Sequence, residues 1–392
     1  MVQDSAPRLL VVDDIQDNRD LLVRRLQRLG YKDLETAGDG QQALDLIRAR
    51  PFDTVLLDVM MPRVGGVQVL EAMRAENRLE ETPVIMISAA TELETVVRCL
   101  ELGAEDYLPK PFNPTLLRAR LGSVLEKRAL RAEVRRQLAR VEEELADARR
   151  QQLSMVPDEF PAGVGAVQAD VHAVLHPARE IGGDLYDCFL VGADRLCLAV
   201  GDVSGKGTPA ALFMARARSL LRAATLQAFE TTGRAPDPAT IVTLMNAELC
   251  KNNPIGMFIT LFMGILDLRD AVLTYVCAGH VRPYILRPEA PVEELVCRAD
   301  IPPGVIEQAV YHDATLPLQR GEAMVVISDG VPDMIDPSGQ AFKLAGVQAA
   351  LETMRDAPPA AITTGLVERI FSFAAGTPQQ DDVTVLALRL GA

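Results

Sequence analysis

The chain has 392 residues, too long for one average domain, and 48% of them are hydrophobic, enough for packed cores rather than disorder. Acidic residues outnumber basic ones 54 to 40, a net charge of −14. That balance argues against the basic face of a general nucleic-acid or anionic-membrane binder and suits a protein whose sites hold cations. The start, residues 1–7, is short and polar, with no basic stretch leading into a long apolar one. No apolar run approaches the ~18 residues of a membrane span. The expectation is a cytoplasmic chain that engages neither nucleic acid nor membrane.

Residues 8–121 alternate short apolar runs (9–12, 55–57, 84–87, 107–108) with amphipathic stretches (21–29, 41–49, 67–73, 93–102). This order predicts an α/β doubly wound parallel sheet covered on both faces. In such sheets the site lies at the carboxyl ends of the strands. Asp13 and Asp14 follow the first run, Asp58 a middle one, Ser88 the next and Lys110 the last, so all five are expected on one edge.

Residues 122–156 change character, with dense charge, no proline and Gly122 as the only glycine. Leu130, Val134, Leu138, Val141, Leu145 and Ala148 step by four or three, an apolar seam of about four heptads. The segment is expected to be a helical coiled-coil linker that pairs with a second copy, ended by Pro157. A single helix docked on its own domain is the alternative. Arginines before residue 140 and acids after 142 leave the orientation of the pairing open.

Residues 157–392 carry many short β-type runs (171–175, 188–191, 196–200, 258–266, 272–277, 284–286, 324–327, 383–388) and helical stretches at 210–225, 238–250, 345–354 and 360–373. Strands and helices segregate, which predicts an α+β domain: a β-sandwich flanked by helices. Six cysteines (Cys99, Cys188, Cys197, Cys250, Cys277, Cys297) show no C-x-x-C pairing and read as reduced, mostly buried thiols.

Four acidic clusters are spread over this last part: Gly182-Gly183-Asp184, Gly201-Asp202-Val203-Ser204-Gly205-Lys206-Gly207, Ser328-Asp329-Gly330 and Gln380-Asp381-Asp382-Val383-Thr384. Hard divalent cations need carboxylates from distant segments converging on one spot. Two such cations can activate water for attack on a phosphate ester. Gly183, Gly201 and Gly330 are expected to allow close backbone approach and unusual dihedrals. Cys277 and Arg282 fall one residue short of a cysteine-phosphatase loop, and the region of 201–207 lacks nucleotide-loop spacing. His280 reads as structural, His172, His176 and His312 lack zinc-type context, and Lys206 reads as solvated or as touching substrate.

The first part resembles the response-regulator receiver domain. The resemblance rests on Asp13-Asp14, Leu56-Leu57-Asp58-Val59-Met60-Met61-Pro62, Ser88 and Asp106-Tyr107-Leu108-Pro109-Lys110-Pro111-Phe112. It implies that Asp58 accepts phosphate from a sensor histidine kinase and that Asp13, Asp14 and Asp58 hold Mg²⁺. It also implies that Ser88 and Lys110 contact the phosphoryl group, that Tyr107 is a rotamer switch, and that the Lys110-Pro111 bond is cis. The last part resembles the type 2C metal-dependent serine/threonine phosphatases of the bacterial sporulation and stress branch. The strings that carry it are Ile181-Gly182-Gly183-Asp184-Leu185-Tyr186-Asp187, the 201–207 motif, Met257-Phe258-Ile259-Thr260-Leu261-Phe262, Cys277-Ala278-Gly279-His280, Ser328-Asp329-Gly330-Val331 and Asp381-Asp382-Val383-Thr384. This implies two Mn²⁺ or Mg²⁺ ions. Asp202 would bridge them, Asp184 and the Val203 carbonyl would complete one shell, and Asp329 and Asp381 the other, with Asp382 as second choice. Cys277, Pro332 and Lys343 depart from that family's usual residues.

The expectation is therefore a multidomain protein: receiver at 1–121, linker at 122–156 and serine/threonine phosphatase at 157–392. Asp58 phosphorylation would control removal of phosphate from a partner like an anti-sigma-factor antagonist. The linker would make a homodimer, and 210–225 and 238–250 are the expected movable helices. The competing expectation is an adaptor that binds such a partner without turnover.

Overall fold

The computed structural model describes residues 6–89, 93–157, 160, 168–234 and 236–391. Of the polar lead-in 1–7, residues 1–5 lie outside them, as do 158, 159 and 161–167 near the start of the expected phosphatase domain and Ala392 at its end. Two compact units emerge, Met1–Val141 and Glu142–Ala392. Their boundary falls within the segment expected to be a linker.

In the first unit the order is β1 (Arg8–Val12), α1 (Gln16–Arg28), β2 (Asp33–Ala37), α2 (Gly40–Ala49), β3 (Thr54–Asp58), α3 (Gly66–Ala75), β4 (Val84–Ala89), α4 (Leu93–Glu101), β5 (Asp106–Lys110) and α5 (Pro114–Leu153). The strands form one sheet in the order β2-β1-β3-β4-β5, parallel throughout. Successive residues of a strand face opposite sides. Leu10, Val12, Leu57 and Met86 therefore join one core with α2 and α3, while Leu9, Val11, Leu56, Ile85 and Ile87 join another with α1 and the start of α5. Strand β2 escapes sequence reading because Asp-Leu-Glu-Thr-Ala has no apolar run. It is an edge strand and only Ala37 of it is buried.

Helix α5 departs from expectation at its start. It begins at Pro114, where a missing N–H costs nothing. Leu117, Leu121 and Val124 bury into the receiver-type core, so the packed face of the helix reaches Val124. Gly122 does not interrupt the helix. Some of the basic charge in this helix has a local use. Lys127 and Arg131 pair with Glu105, Arg128 with Asp53 and Arg135 with Glu80, all on loops at the amino ends of the strands. Along the expected seam Leu130, Val134, Leu138 and Val141 are exposed by half or more.

The second unit runs β6 (Ala169–His176), β7 (Leu185–Leu190), β8 (Arg195–Val203), α6 (Thr208–Thr232), α7 (Pro238–Cys250), β9 (Ile259–Asp267), β10 (Val272–Ala278), β11 (Tyr284–Leu286), β12 (Glu293–Glu294), β13 (Ala314–Pro317), β14 (Ala323–Ile327), α8 (Lys343–Glu352), α9 (Pro359–Ala374) and β15 (Val383–Leu390). Two five-stranded antiparallel sheets result, β13-β10-β9-β8-β7 and β12-β11-β14-β15-β6. Leu198, Val200, Phe262, Met324, Val326, Leu386 and Leu388 fill the space between them. The outer face of the first sheet is covered by α6 and α7, that of the second by α8 and α9. This is the expected sandwich flanked by helices. The two short strands that sequence reading missed, β12 and β13, are both sheet edges, one of them only two residues long.

All six cysteines are free thiols, five buried and Cys250 half-buried. Among the described residues no helix is long and apolar enough to cross a membrane.

Candidate functional site

In the first unit the sheet brings its acidic residues to the carboxyl edge. Asp13 directly follows β1, Asp58 ends β3 and Lys110 ends β5, while Ser88 lies buried near the end of β4. Carboxylate oxygens of Asp13, Asp14 and Asp58 lie within 4.8 Å of one another. The Lys110 Nζ sits 2.9 Å from Asp13 Oδ2 and 2.9 Å from Asp58 Oδ1. Burial pushes Asp58 up to about 6, with Asp13 and Asp14 adding to the shift and Lys110 opposing it. Burial alone would pull the Lys110 ammonium down, but its bonds to Asp13 and Asp58 outweigh that and raise it. One ammonium against three clustered carboxylates leaves net negative charge, and an all-oxygen donor set fits a hard divalent cation.

Asn18, unremarked in the sequence, donates from its amide to both Asp13 oxygens, at 3.1 and 3.2 Å. Tyr107 is half-buried, with the Arg120 guanidinium 5.7 Å from its ring centre. The Lys110-Pro111 bond is cis.

In the second unit the acidic clusters share one end of the sandwich. Asp184 precedes β7, Asp202 and Val203 close β8, Asp329 follows β14, and Asp381 and Asp382 precede β15. Pairing of Leu185 with Gly201 and of Ile327 with Val385 brings these strand ends side by side within each sheet. Burial drives the Asp184 carboxyl well above its usual range, and repulsion from Asp202 and Asp382 adds to it. Asp202 is pushed up to about 7, first by burial and then by Asp329 and Asp381. Asp329 is raised by burial, with Asp381 and Asp333 adding to it. The ion pair at this cluster among the described residues is Lys206 with Asp381, Nζ to Oδ2 3.0 Å. Asp184 is buried and Asp202, Asp329 and Asp381 are half-buried, and carboxylates in this excess over cations would suit divalent metals.

Asp382 has a different use from the one held open for it. Its Oδ1 accepts the Ala178 N–H at 2.8 Å, and its Oδ2 accepts those of Gly183 at 2.6 Å and Asp184 at 3.3 Å. The carboxylate pins the loop that presents Asp184, which leaves Asp381 as the better ligand candidate. Lys206 is exposed, and its ammonium also donates to the Gln380 carbonyl. Gly183, Gly201 and Gly330 have no positive φ, so unusual dihedrals are not their reason. Close approach is the reason at Gly330, where a Cβ would stand 2.0 Å from the Asp382 carbonyl oxygen.

Three supporting residues went unread in the sequence. Thr384 Oγ1 donates to Asp184 Oδ2 at 2.6 Å, and Ser328 Oγ accepts the Thr384 N–H at 2.9 Å. Gln152, at the end of α5, grips Gly182 twice, donating to its carbonyl at 2.6 Å and accepting its N–H at 3.1 Å. Ser328 and Thr384 stand inside the acidic strings without a signal of their own, and a Gln in a charged helix carries no motif that would single it out.

His280 is buried beside the cluster, with Nδ1 2.9 Å from Thr260 Oγ1 and Nε2 lacking a partner at hydrogen-bond geometry. Burial pushes its pKa down from 6.5 to about 4, the Ile327 backbone opposing weakly. The folded state therefore binds this proton less readily than the unfolded state. The stability involved is present above pH 6.5 and is lost as pH falls towards 4. Between pH 7 and 4.5 the expected loss is roughly 2 kcal/mol. Urea unfolding at both pH values should show a smaller drop in His280→Gln than in wild type, which separates the imidazole from the neighbouring carboxylates.

Residues 192–391, a little over half of the chain, match the family model of Stage II sporulation protein E (SpoIIE). The chain belongs to that family. Residues 9–122 match the response regulator receiver domain, so a receiver is joined to a SpoIIE-type PP2C phosphatase domain. Protein IcfG of Synechocystis is 29% identical over 270 residues, 62% of this chain and 41% of its own length. Transcriptional regulatory protein CpxR of Escherichia coli is 45% identical over 121 residues, 31% of this chain and 50% of its own length. The chain thus spans half or less of these relatives. The SiaA-PP2C domain of Pseudomonas aeruginosa superposes with a TM-score of 0.56 at 23% identity, covering 64% of this chain and 98% of that domain. At that identity the likeness is one of fold, and it gives this SpoIIE-family member the PP2C architecture.

Proposed function

We propose that this protein is a response regulator whose output is the hydrolysis of phosphoserine or phosphothreonine on a partner protein. The observation that carries the reading is the convergence of Asp184, Asp202, Asp329 and Asp381 at one end of the sandwich, the first three with raised carboxyls and with few cations nearby. Asp184, Asp202 and the Val203 carbonyl would hold one divalent metal and Asp202, Asp329 and Asp381 the other, either Mn²⁺ or Mg²⁺. When bound, such a pair acidifies water and neutralises charge on the phosphoryl group. The chain's own contribution is positioning. Thr384 fixes one Asp184 oxygen, Asp382 holds the Asp184 loop, and Lys206 orients Asp381.

In the receiver, Asp13, Asp14 and Asp58 would hold Mg²⁺. Asp58 would accept phosphate from a sensor histidine kinase, Ser88 and Lys110 would contact the phosphoryl group, and Tyr107 would report the change. Domain limits near 1–121, 122–156 and 157–392 remain our assignment, with the receiver's last helix running into the linker. The exposed seam Leu130, Val134, Leu138 and Val141 supports pairing of two copies through α5. Gln152 supports control of the Asp184 loop by that helix. By resemblance, the substrate is a phosphorylated protein of the anti-sigma-factor-antagonist kind. The adaptor alternative is disfavoured because no acidic corner is missing.

The test treats the full chain with Mn²⁺ and an aryl phosphate, with and without chelator, before and after a small acyl-phosphate donor. Hydrolysis should require the metal. Wild type should take up one phosphoryl group by intact mass and change its turnover, whereas Asp58→Asn should take up none and show no change. Metal-independent hydrolysis, or equal labelling of Asp58→Asn, would refute the assignment.

A further inference from the structure

The acidic cluster opens on one side into a cleft of about 580 Å³ lined by His280, Arg282, Glu294, Asp329, Asp333 and Lys343 among others. Asp329 belongs to the proposed metal centre, so the cleft starts at the reacting end and leads away from it. Its two cations are held unlike ordinary surface charges. Lys343 is exposed and makes no ion pair among the described residues, yet its backbone lies in the left-handed region at φ 63°. A residue with a Cβ adopts that conformation only at an energetic cost, which the surrounding bonds must sustain. Those bonds are present. The Lys343 N–H donates to the Pro332 carbonyl at 2.7 Å and the Phe342 N–H to that of Met334 at 2.8 Å, tying the lysine to the loop that begins with Asp329. Arg282 is half-exposed, and its nearest carboxylate, Glu294, stands at a loose 3.9 Å.

We infer that this cleft is a substrate subsite in which Lys343 and Arg282 receive an acidic side chain flanking the phosphorylated residue. The inference rests on the phosphatase reading. An aspartate or glutamate one or a few residues from the phosphoserine would enter beside Asp329 while the phosphate occupies the metal centre. Two cations, one loosely paired and one free, supply charge-assisted hydrogen bonds to such a carboxylate. Asp333 is the lining carboxylate that neither a cation nor the proposed metals would neutralise, and it would disfavour an acidic residue placed nearer to it. A flat neutral flank gains nothing here, so selectivity, rather than chemistry, is what the cleft adds.

The test uses the full chain with Mn²⁺ and two phosphoserine peptides identical except for an acidic or a neutral flank. Wild type should favour the acidic peptide by about tenfold in kcat/KM, a ratio that falls with added salt. Lys343→Gly, which also relieves the left-handed backbone, and Arg282→Gln should each pull that ratio towards one. Equal turnover of the two peptides by wild type would overturn the inference. A variant that slows both peptides by the same factor would overturn it too, because the cations would then act on the phosphoryl group itself. If wild type hydrolyses neither peptide nor an aryl phosphate, the phosphatase reading fails. Fluorescence anisotropy of the two labelled peptides then still tests the cleft: tighter acidic binding lost in Lys343→Gly supports it, and equal binding contradicts it.

Discussion

Asp202→Ala is expected to lower Mn²⁺-dependent phosphate-ester hydrolysis by at least ~10³-fold, a barrier increase of ~4 kcal/mol. Asp202 is the next-to-last residue of β8; burial raises its carboxyl first, then Asp329 and Asp381, while a hydrogen bond with Asp184 opposes the shift. It is the residue whose loss would weaken both cation positions at once. The same substitution removes like-charge repulsion, so the metal-free protein should become more stable rather than less. A urea midpoint that rises while turnover disappears would separate lost metal chemistry from lost folding. Activity within tenfold of wild type would show that Asp202 is not a shared ligand.

Asp187→Ala is expected to destabilise the second unit by about 3–5 kcal/mol, the usual cost of leaving buried charges without their partner. Asp187 is fully buried on β7. Arg222 reaches its two oxygens at 2.9 and 3.1 Å, Arg218 reaches Oδ2 at 3.2 Å, and the Cys188 N–H donates to Oδ1 at 3.0 Å. Arg222 also stacks on Phe189, 4.4 Å from the ring centre. These contacts fasten α6 to the strand that starts beside Asp184. Asp187→Ala should lower the urea midpoint and speed hydrogen exchange in α6 before the rest of the sandwich, and metal-dependent turnover should fall with it. A loss below about 1 kcal/mol, the range of exposed pairs, would mean that α6 is held by apolar packing alone.

The candidate acids were legible because carboxylates at strand ends, Asp184, Asp202 and Asp329 each beside a glycine, are a strong local signal. Asp13, Asp58 and Lys110 are brought together on the expected sheet edge, and the acidic clusters of the second unit lie at one end of the sandwich. What sequence reading missed depends on tertiary context. The ion triad of Asp187 with Arg218 and Arg222 joins a strand to a helix more than 30 residues away, and no spacing rule connects them. Gln152 gains meaning only from its two bonds to Gly182. Strands β2, β12 and β13 lie at sheet edges, where half-exposed polar residues suffice and the alternation signal fades. The expected linker start at 122 falls inside helix α5, where Leu117, Leu121 and Val124 continue into the later seam at helical spacing, so one helix serves a core and then an exposed stripe.

The most direct measurement is the anomalous scattering of manganese in crystals of the protein grown with Mn²⁺. Two peaks enclosed by the side chains of Asp184, Asp202, Asp329 and Asp381, both reduced or lost in Asp202→Ala crystals, are the predicted result. Ordered carboxylates with no peak between them, at a manganese concentration that supports turnover, would contradict the account.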